Sequence, residues 1–175
     1  MREISIPEGI SCVYTNGKLK CKKENIELEK ILSHPKIEIK IRDNKIIISC
    51  NKANKNYDKI VMSFMAHIEN IFQGLGEKFV YELESANVHF PMTMKVEEGK
   101  VAISNFFGEK VPRYAKILPG VEVEIKGPKI TVSARDREAA GQTAANLEKA
   151  TKVRGRDRRV FQDGIYIISK PRRRE

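Results

Sequence analysis

The chain has 175 residues, 41% of them hydrophobic, and its 33 Lys and Arg side chains against 23 Asp and Glu give a net charge of +10. This hydrophobic fraction excludes a disordered chain, and the length suits one large domain or two small ones. No apolar run approaches the ~18 residues of a membrane-spanning helix, and the N-terminus lacks the apolar stretch of a secretory signal. Three cysteines without a CxxC pair, Cys12, Cys21 and Cys50, favour a reducing compartment and argue against a disulfide scaffold.

The first half of the chain predicts two hairpins, one helix and a final strand. Alternating apolar and polar residues indicate the strands, and apolar residues at helical spacing indicate the helix, which Gly74 is placed to end. The predicted elements are a hairpin over 12–21 with its turn at Asn16-Gly17, a hairpin over 37–48 with its turn at Asp43-Asn44, a helix over about 56–72, and a strand over 79–83. Asn-Gly is typical of the tight type I′ turn, because both positions of that turn need positive φ.

The second half repeats the same order. Its predicted elements are a hairpin over 92–103 that turns at Gly99-Lys100, a hairpin over 121–132 that turns at Gly127-Pro128, a helix over about 135–151, and strands over 159–161 and 165–168. An alternating sheet with one apolar face needs a cover, and one amphipathic helix per copy supplies it. The sequence therefore predicts an α+β fold, with two tandem copies of a small antiparallel sheet covered by one helix, over residues 1–83 and 84–175.

The motifs of catalysis and metal binding are missing from the sequence. His34, His67 and His89 are far apart, and no HExxH, zinc-ligand spacing, phosphate-binding GxxxxGK[ST] or G-x-S-x-G pattern occurs. We therefore expect no enzyme, no cofactor and no metal. The alternative to this expectation is an enzyme with an acidic active site, whose carboxylates come together only when the chain folds.

The C-terminal 24 residues have a distinct charge. Residues 152–175 carry nine basic and three acidic side chains, and seven of the nine are Arg, whereas Lys predominates before residue 152. Arginine binds phosphate through two parallel hydrogen bonds and stacks on bases. The candidate RNA-binding side chains of this segment are Lys152, Arg154, Arg156, Arg158, Arg159, Tyr166, Lys170, Arg172, Arg173 and Arg174. An extended chain would present Arg154, Arg156 and Arg158 on one side.

Other interpretations of this segment stay open. It could be a solvated charged tail, Phe161 is favoured as a core residue over a base-stacking one, and Tyr166 fits either role. No single-strand recognition signature of the RRM or KH type is present, so contact with structured RNA through its shape and phosphates fits better. Because the first 84 residues have a net charge of only +2, we expect the first domain to be the less RNA-bound one.

Four motifs carry a resemblance to a known family. They are Gly155-Arg156-Asp157-Arg158-Arg159-Val160-Phe161-Gln162-Asp163-Gly164-Ile165-Tyr166, Asn105-Phe106-Phe107-Gly108-Glu109-Lys110, Val88-His89-Phe90-Pro91 and Ile4-Ser5-Ile6-Pro7. With them, the chain resembles the universal sixth protein of the large ribosomal subunit, in its archaeal and eukaryotic branch, over essentially its whole length. Phe107 stands where that family usually has leucine.

The resemblance implies two similar α+β domains, no catalytic activity and binding to large-subunit ribosomal RNA, chiefly through the second domain. It also implies a cytoplasmic ribosome location near the sarcin–ricin loop and the stalk base, with neighbouring ribosomal proteins and with translation factors docking nearby. It marks Arg156, Arg158, Arg159, Gln162, Asp163, Gly164 and Tyr166 as the residues nearest RNA; the remaining basic candidates rest on charge. An alternative function, different in kind from RNA binding, is that of a tandem-domain scaffold that binds an acidic protein partner.

Overall fold

The computed structural model describes residues 2–42, 44–50, 54–88, 90–157 and 159–171. The chain divides into two compact units, Met1–Glu77 and Lys78–Glu175. Each unit combines antiparallel strands with one helix, so the predicted α+β class is confirmed, although the strands of each unit are shared between two sheets. Six residues named above lie outside the described ones: Asp43, His89, Arg158, Arg172, Arg173 and Arg174.

The first unit contains two three-stranded sheets, with the strand orders β1-β6-β5 and β2-β3-β4. Its elements are β1 (Arg2–Ser5), β2 (Ser11–Thr15), β3 (Lys18–Lys23), β4 (Ile26–Ile31), β5 (Ile37–Arg42), β6 (Lys45–Cys50) and α1 (Lys55–Gly76). The predicted Asn16-Gly17 turn joins β2 to β3, and both residues have positive φ, 52° and 77°. The amide of Leu32 donates to the carbonyl of Gly17 at 2.8 Å, so this turn also anchors the end of β4.

The second unit contains a three-stranded sheet of order β8-β9-β10 and a four-stranded sheet of order β11-β12-β7-β13. Its elements are β7 (Phe79–Ala86), β8 (Thr93–Glu97), β9 (Lys100–Ser104), a 3₁₀ turn (Phe106–Gly108), β10 (Arg113–Lys116), β11 (Val121–Lys126), β12 (Lys129–Ala134), α2 (Arg137–Ala150) and β13 (Gly164–Ser169). The predicted strand over 159–161 is wrong. The amides of Val160 and Phe161 both donate to the carbonyl of Asp157, at 3.2 and 2.9 Å, and this pattern makes a turn.

Matching backbone hydrogen bonds confirm the duplication. The amide of Ile6, just after β1, donates to the carbonyl of Asn44 in the β5–β6 turn at 2.9 Å. At the equivalent place in the second unit, the amide of Ser85 near the end of β7 donates to the carbonyl of Pro128 in the β11–β12 turn at 2.8 Å. The two copies therefore share their strand connections as well as their sequence pattern.

This duplication corrects the role of one predicted strand. The strand expected over 79–83 as the last of the first sheet is β7, which pairs with β12 and β13 of the second unit. In the second unit β7 lies beside β12, as β1 lies beside β6 in the first unit. The strand β7 is therefore the first strand of the second copy. Alternation along a strand shows which side chains share a face, but it does not show which sheet the strand joins.

The two helices begin at polar caps. The side chain of Asn54 accepts from the amide of Asn56 at 3.3 Å, and that of Asp136 accepts from the amide of Glu138 at 3.0 Å. The expectation that Gly74 ends α1 is wrong, because the helix continues to Gly76. Burial of Leu75, which is 2% exposed, stabilises this last turn more than a glycine within the helix destabilises it.

Each unit has its own apolar core beneath its helix. In the first, buried α1 residues such as Val61 and Ile68 pack with strand residues such as Leu19 and Ile46, and Cys21 joins them as a small apolar residue. In the second, α2 buries Ala139, Ala140, Thr143, Ala144 and Leu147, and Ala150 at its end is half-buried. The alanines let α2 lie near its sheet, and this fixes the position of the loop that follows the helix.

Candidate nucleic-acid interface

The predicted basic residues of the second unit lie mainly in one loop. Residues 152–163, here called the basic loop, connect α2 to β13. The extended chain expected over 154–158 is wrong in its described part, because Gly155 has a φ of +67° and the backbone bends at 155 and 156. The basic side chains of this loop are therefore not aligned by strand alternation.

Arg156 is held by two aromatic rings. Its guanidinium carbon lies 5.0 Å from the ring centroid of Phe107 and 4.9 Å from that of Phe161. The two rings meet edge to face, with centroids 5.7 Å apart. Cation–π attraction restricts the side chain of Arg156, while the residue stays exposed. The guanidinium of Arg156 is therefore already positioned and still accessible to solvent, so it is suited to contact a phosphate.

The turn that carries Phe107 has an unusual backbone. Asn105 and Phe107 have φ of 62° and 50°, in the left-handed region that non-glycine residues rarely adopt, and Gly108 has a φ of 75°. The side-chain amide of Asn105 donates to the carbonyl of Pro91 at 3.0 Å, and the ring of Phe90 covers Gly108. These contacts hold the strained turn, which directs the Phe107 ring at the basic loop.

A second arginine fixes the base of this turn to α2. The Nε of Arg113 donates to Glu109 Oε2 at 2.7 Å, and its Nη1 donates to the carbonyl of Ala150, at the end of α2, at 2.9 Å. Its guanidinium carbon lies 4.3 Å from the centroid of the Phe106 ring. Hydrogen bonding to Arg113 holds the pKa of the Glu109 carboxyl below its usual range, partial desolvation opposes this, and the charge of Arg156 adds to the lowering.

Arg159 has an acidic partner within the loop. Its Nη2 lies 3.0 Å from Asp157 Oδ2, and its backbone amide donates to Asp157 Oδ1 at 2.9 Å. The side-chain hydrogen bond, and then the backbone one, lower the pKa of Asp157. The Arg159 side chain is 90% exposed, so a phosphate can compete with Asp157 for it.

Four of the residues marked by the resemblance organise the end of the loop and the start of β13. Asp163 is buried, and its Oδ1 accepts from the amide of Val88 at 3.0 Å. The side-chain amide of Gln162 donates to the carbonyl of Arg159 at 3.1 Å, and its backbone carbonyl accepts from the hydroxyl of Tyr166 at 2.9 Å. Gly164 is buried under the Tyr166 ring, where a Cβ would come within 3.2 Å of the ring. Among these residues only Tyr166 and Gln162 remain exposed.

The remaining candidates lie at two ends of the second unit. Lys152 and Arg154 are exposed residues at the start of the basic loop. Lys170 follows β13, next to Pro171, whose carbonyl accepts from Arg137 Nη2 at 3.2 Å. Arg137 opens α2 whereas Lys152 follows its end, so a 14-residue helix, about 20 Å long, separates the two groups. The structure therefore groups Lys152, Arg154, Arg156 and Arg159, and it places Lys170 apart from them.

Sequence reasoning missed the residues that support Arg156. Phe107 and Arg113 lie far from the basic loop in the chain, and nothing in their spacing links them to it. The Asn105-Phe106-Phe107-Gly108 segment was visible as a motif, but its contact with residues 156 and 161 depends on the fold. Among the described residues, no group of three His, Cys, Asp or Glu side chains is placed to hold a metal ion. No helix in the same part of the chain is long and apolar enough to cross a bilayer.

Comparison with known proteins identifies the family. The chain is 42% identical over 170 residues to the large ribosomal subunit protein uL6 of Methanothrix thermoacetophila, with 97% of each chain covered. It is 46% identical over 169 residues to uL6 of Sulfurisphaera tokodaii, covering 96% of this chain and 91% of that protein. The chain belongs to the uL6 family. The uL6 of Methanococcus vannielii is 42% identical over 168 residues, covering 96% and 92%.

The matched region includes the features described above. The family model for ribosomal protein L6 matches residues 90–164. This range spans the Phe107 turn, α2 and the basic loop up to the first residue of β13. The resemblance to the sixth protein of the large subunit is therefore confirmed, and the relatives named here include archaeal uL6 proteins.

Proposed function

We propose that the chain is a structural, non-catalytic constituent of the large ribosomal subunit, in the cytoplasm, and that it binds large-subunit ribosomal RNA through the basic loop. Identity of 42% or more over nearly the whole chain to proteins named as large ribosomal subunit uL6 is the observation that carries this proposal. The positioned Arg156, with Lys152, Arg154 and Arg159 in the same loop, supplies a surface suited to phosphate.

The basic loop contains basic side chains that have no carboxylate partner among the described residues. In the first unit, Lys20 lies 3.5 and 3.4 Å from carboxylate oxygens of Glu27 and Glu29. Among the described residues, neither Lys152 nor Arg154 has an acidic side chain within 4.0 Å. Side chains without internal carboxylate partners are the ones that gain most from phosphate contact and counterion release.

A salt series with charge-reversal variants tests the proposal. Deleting residues 152–175 would also remove β13 from its sheet, so point variants are the sharper tool. Wild-type protein should bind isolated large-subunit RNA and co-sediment with large subunits. Arg154→Glu and Arg156→Glu should weaken binding and reduce the slope of log K against log salt by about 0.7–0.9 for each phosphate that is no longer bound. The matched control Lys20→Glu should change little, and equal defects from the two units would contradict the assignment.

The acidic-protein alternative predicts another result. If RNA holds the protein in its large complex, ribonuclease treatment of a lysate should release it. If an acidic partner protein holds it, the protein should stay in the complex after the same treatment, and the RNA-binding proposal would fail.

The proposed location of the protein within the large subunit rests on the family resemblance alone. We propose that the RNA contacted lies near the sarcin–ricin loop and the stalk base, with other ribosomal proteins as neighbours and translation factors docking close by. Chemical footprinting of subunits reconstituted with and without the protein should show protection in the sarcin–ricin region. Protection confined to distant parts of the RNA would contradict this placement while leaving RNA binding itself intact.

A further inference from the structure

A cleft of about 800 Å³ opens beside the basic loop, within the second unit. It lies between the end of α2, the start of β13 and the end of β7. Its apolar lining includes Ala86, Val153 and Ile165, its charged lining includes Lys149 and Lys152, and the Tyr166 ring forms part of its wall. Clefts of about 300–1,000 Å³ with apolar walls and a few polar groups are typical of small-ligand sites.

Tyr166 is fixed in this wall before any ligand arrives. Its hydroxyl donates to the carbonyl of Gln162 at 2.9 Å, and its ring lies against Gly164, where a Cβ would come within 3.2 Å. The residue is still 44% exposed, so part of the ring can be covered by a ligand. An aromatic ring held in place loses little conformational freedom when a flat ring stacks on it.

The charges of the cleft favour a ligand that is flat and also anionic. Lys149 and Lys152 are exposed and positive, and Glu148 provides one carboxylate that can accept hydrogen bonds from amino groups. A nucleotide combines these features, with a planar base that carries donors and acceptors and a negative phosphate. The described C-terminus of the chain is not the occupant, because Pro171 is held by Arg137 at the opposite end of α2.

We propose that this cleft receives one unstacked nucleotide of the bound ribosomal RNA, with the base against Tyr166 and the phosphate toward Lys149 and Lys152. The inference rests on the proposed RNA-binding function and adds a second mode of contact to it. The basic loop contacts phosphates of folded RNA, whereas the cleft takes a base that has left its helix. Bases in loops and bulges are the ones accessible for stacking on aromatic side chains.

Substitutions at Tyr166 separate stacking from electrostatics. Tyr166→Ala should lower the affinity for isolated large-subunit RNA about 5- to 150-fold, the range for losing one base–aromatic stack, with an unchanged salt slope. The matched variant Tyr166→Phe keeps the ring and should bind within about threefold of wild type. Val153→Phe, which fills the cleft from its apolar side, should weaken binding as Tyr166→Ala does, and circular dichroism should show all three variants folded.

Ultraviolet crosslinking of the wild-type complex needs no variant and gives a direct test. Mass spectrometry of the crosslinked peptides should find one nucleotide attached to Tyr166 or to another residue of the cleft. Crosslinks confined to other parts of the protein would overturn the inference, as would folded Tyr166→Ala and Val153→Phe variants that bind like wild type. If Arg156→Glu weakens binding while these cleft variants do not, the cleft inference fails and the proposed function stands. If the wild-type protein does not bind the RNA, both fail.

Discussion

The guanidinium of Arg156 and the ring of Phe107 form a cation–π pair that joins the basic loop to the turn after β9. Phe107 has a φ of 50° in this turn, and the strained backbone is held by the hydrogen bond from Asn105 to the Pro91 carbonyl and by the Phe90 ring against Gly108. The position of Arg156, a phosphate-binding candidate, therefore depends on a residue that carries no charge.

Removing the ring of Phe107 should loosen Arg156 without changing the net charge. We expect Phe107→Ala to weaken binding to large-subunit RNA about two- to fivefold, the range for one exposed cation–π contact of about 0.5–1 kcal/mol. Phe107→Leu keeps an apolar contact with Phe161 and should lie between Phe107→Ala and wild type. Filter-binding titrations at one salt concentration measure the effect, with the exposed Val13→Ala in the first unit as control. Full affinity in Phe107→Ala would show that the ring does not position Arg156.

The carboxyl of Glu109 should titrate with a pKa below its ordinary value of 4.5. Because the pKa of Glu109 is lower in the folded protein, the unfolded chain binds the proton more readily. The ionised carboxylate therefore stabilises the fold at pH values above the ordinary pKa of 4.5, and this contribution is lost as the pH falls through the folded-state pKa. Carbon-13 NMR of the side-chain carboxyl measures this directly. Arg113→Gln should move the pKa back toward 4.5, and Arg156→Gln should move it less. A larger effect of Arg156→Gln would contradict the assigned order of causes.

Local patterns predicted the hairpins and the helices of this fold. Asn16-Gly17 specifies its turn through positive φ, and the apolar face of α2 follows from helical spacing. The strands β1 and β4 also alternate, as in Ile26-Glu27-Leu28-Glu29, yet we predicted neither because no turn dipeptide framed them. The prediction that β7 belongs to the first sheet was wrong for a different reason. Pairing between strands that are distant in sequence produces no pattern in the residues near either strand.

The candidate site was predictable in composition but not in geometry. The Arg-rich segment was visible from charge, and the structure does bring Lys152, Arg154, Arg156 and Arg159 into one loop. The expected single-sided array fails at Gly155, whose positive φ bends the chain. The contacts by which Phe107 and Arg113 support the basic loop could not be predicted from the sequence. They are tertiary contacts, and neither charge nor periodicity indicates them.

Thr151 should prove essential for joining α2 to β13. Its buried hydroxyl accepts from the amide of Ile165 at 2.8 Å, and without it this amide is left unsatisfied in the core. Thr151→Val should cost about 1–3 kcal/mol in the free energy of unfolding, the usual penalty for a buried polar group without a partner. Thr151→Ser keeps the oxygen and should cost less. Urea denaturation compares the two, and equal losses would assign the effect to packing and not to the hydrogen bond.

The close approach of α2 to its sheet should depend on the absence of a side chain at Gly141. A Cβ there would lie 2.9 Å from the hydroxyl oxygen and 3.3 Å from the Cζ of Tyr81. Gly141→Ala should therefore destabilise the protein by about 1–3 kcal/mol, since overpacking outweighs the gain in helix propensity. In the Gly141→Ala/Tyr81→Phe double variant the nearest atom is gone, so part of the stability should be recovered. Gly76→Ala, where a Cβ meets nothing within 4 Å, is the matched control in urea denaturation. If Gly141→Ala is as stable as wild type, either the Tyr81 side chain or the helix shifts at little cost, and the contact between Gly141 and Tyr81 does not fix the position of the basic loop.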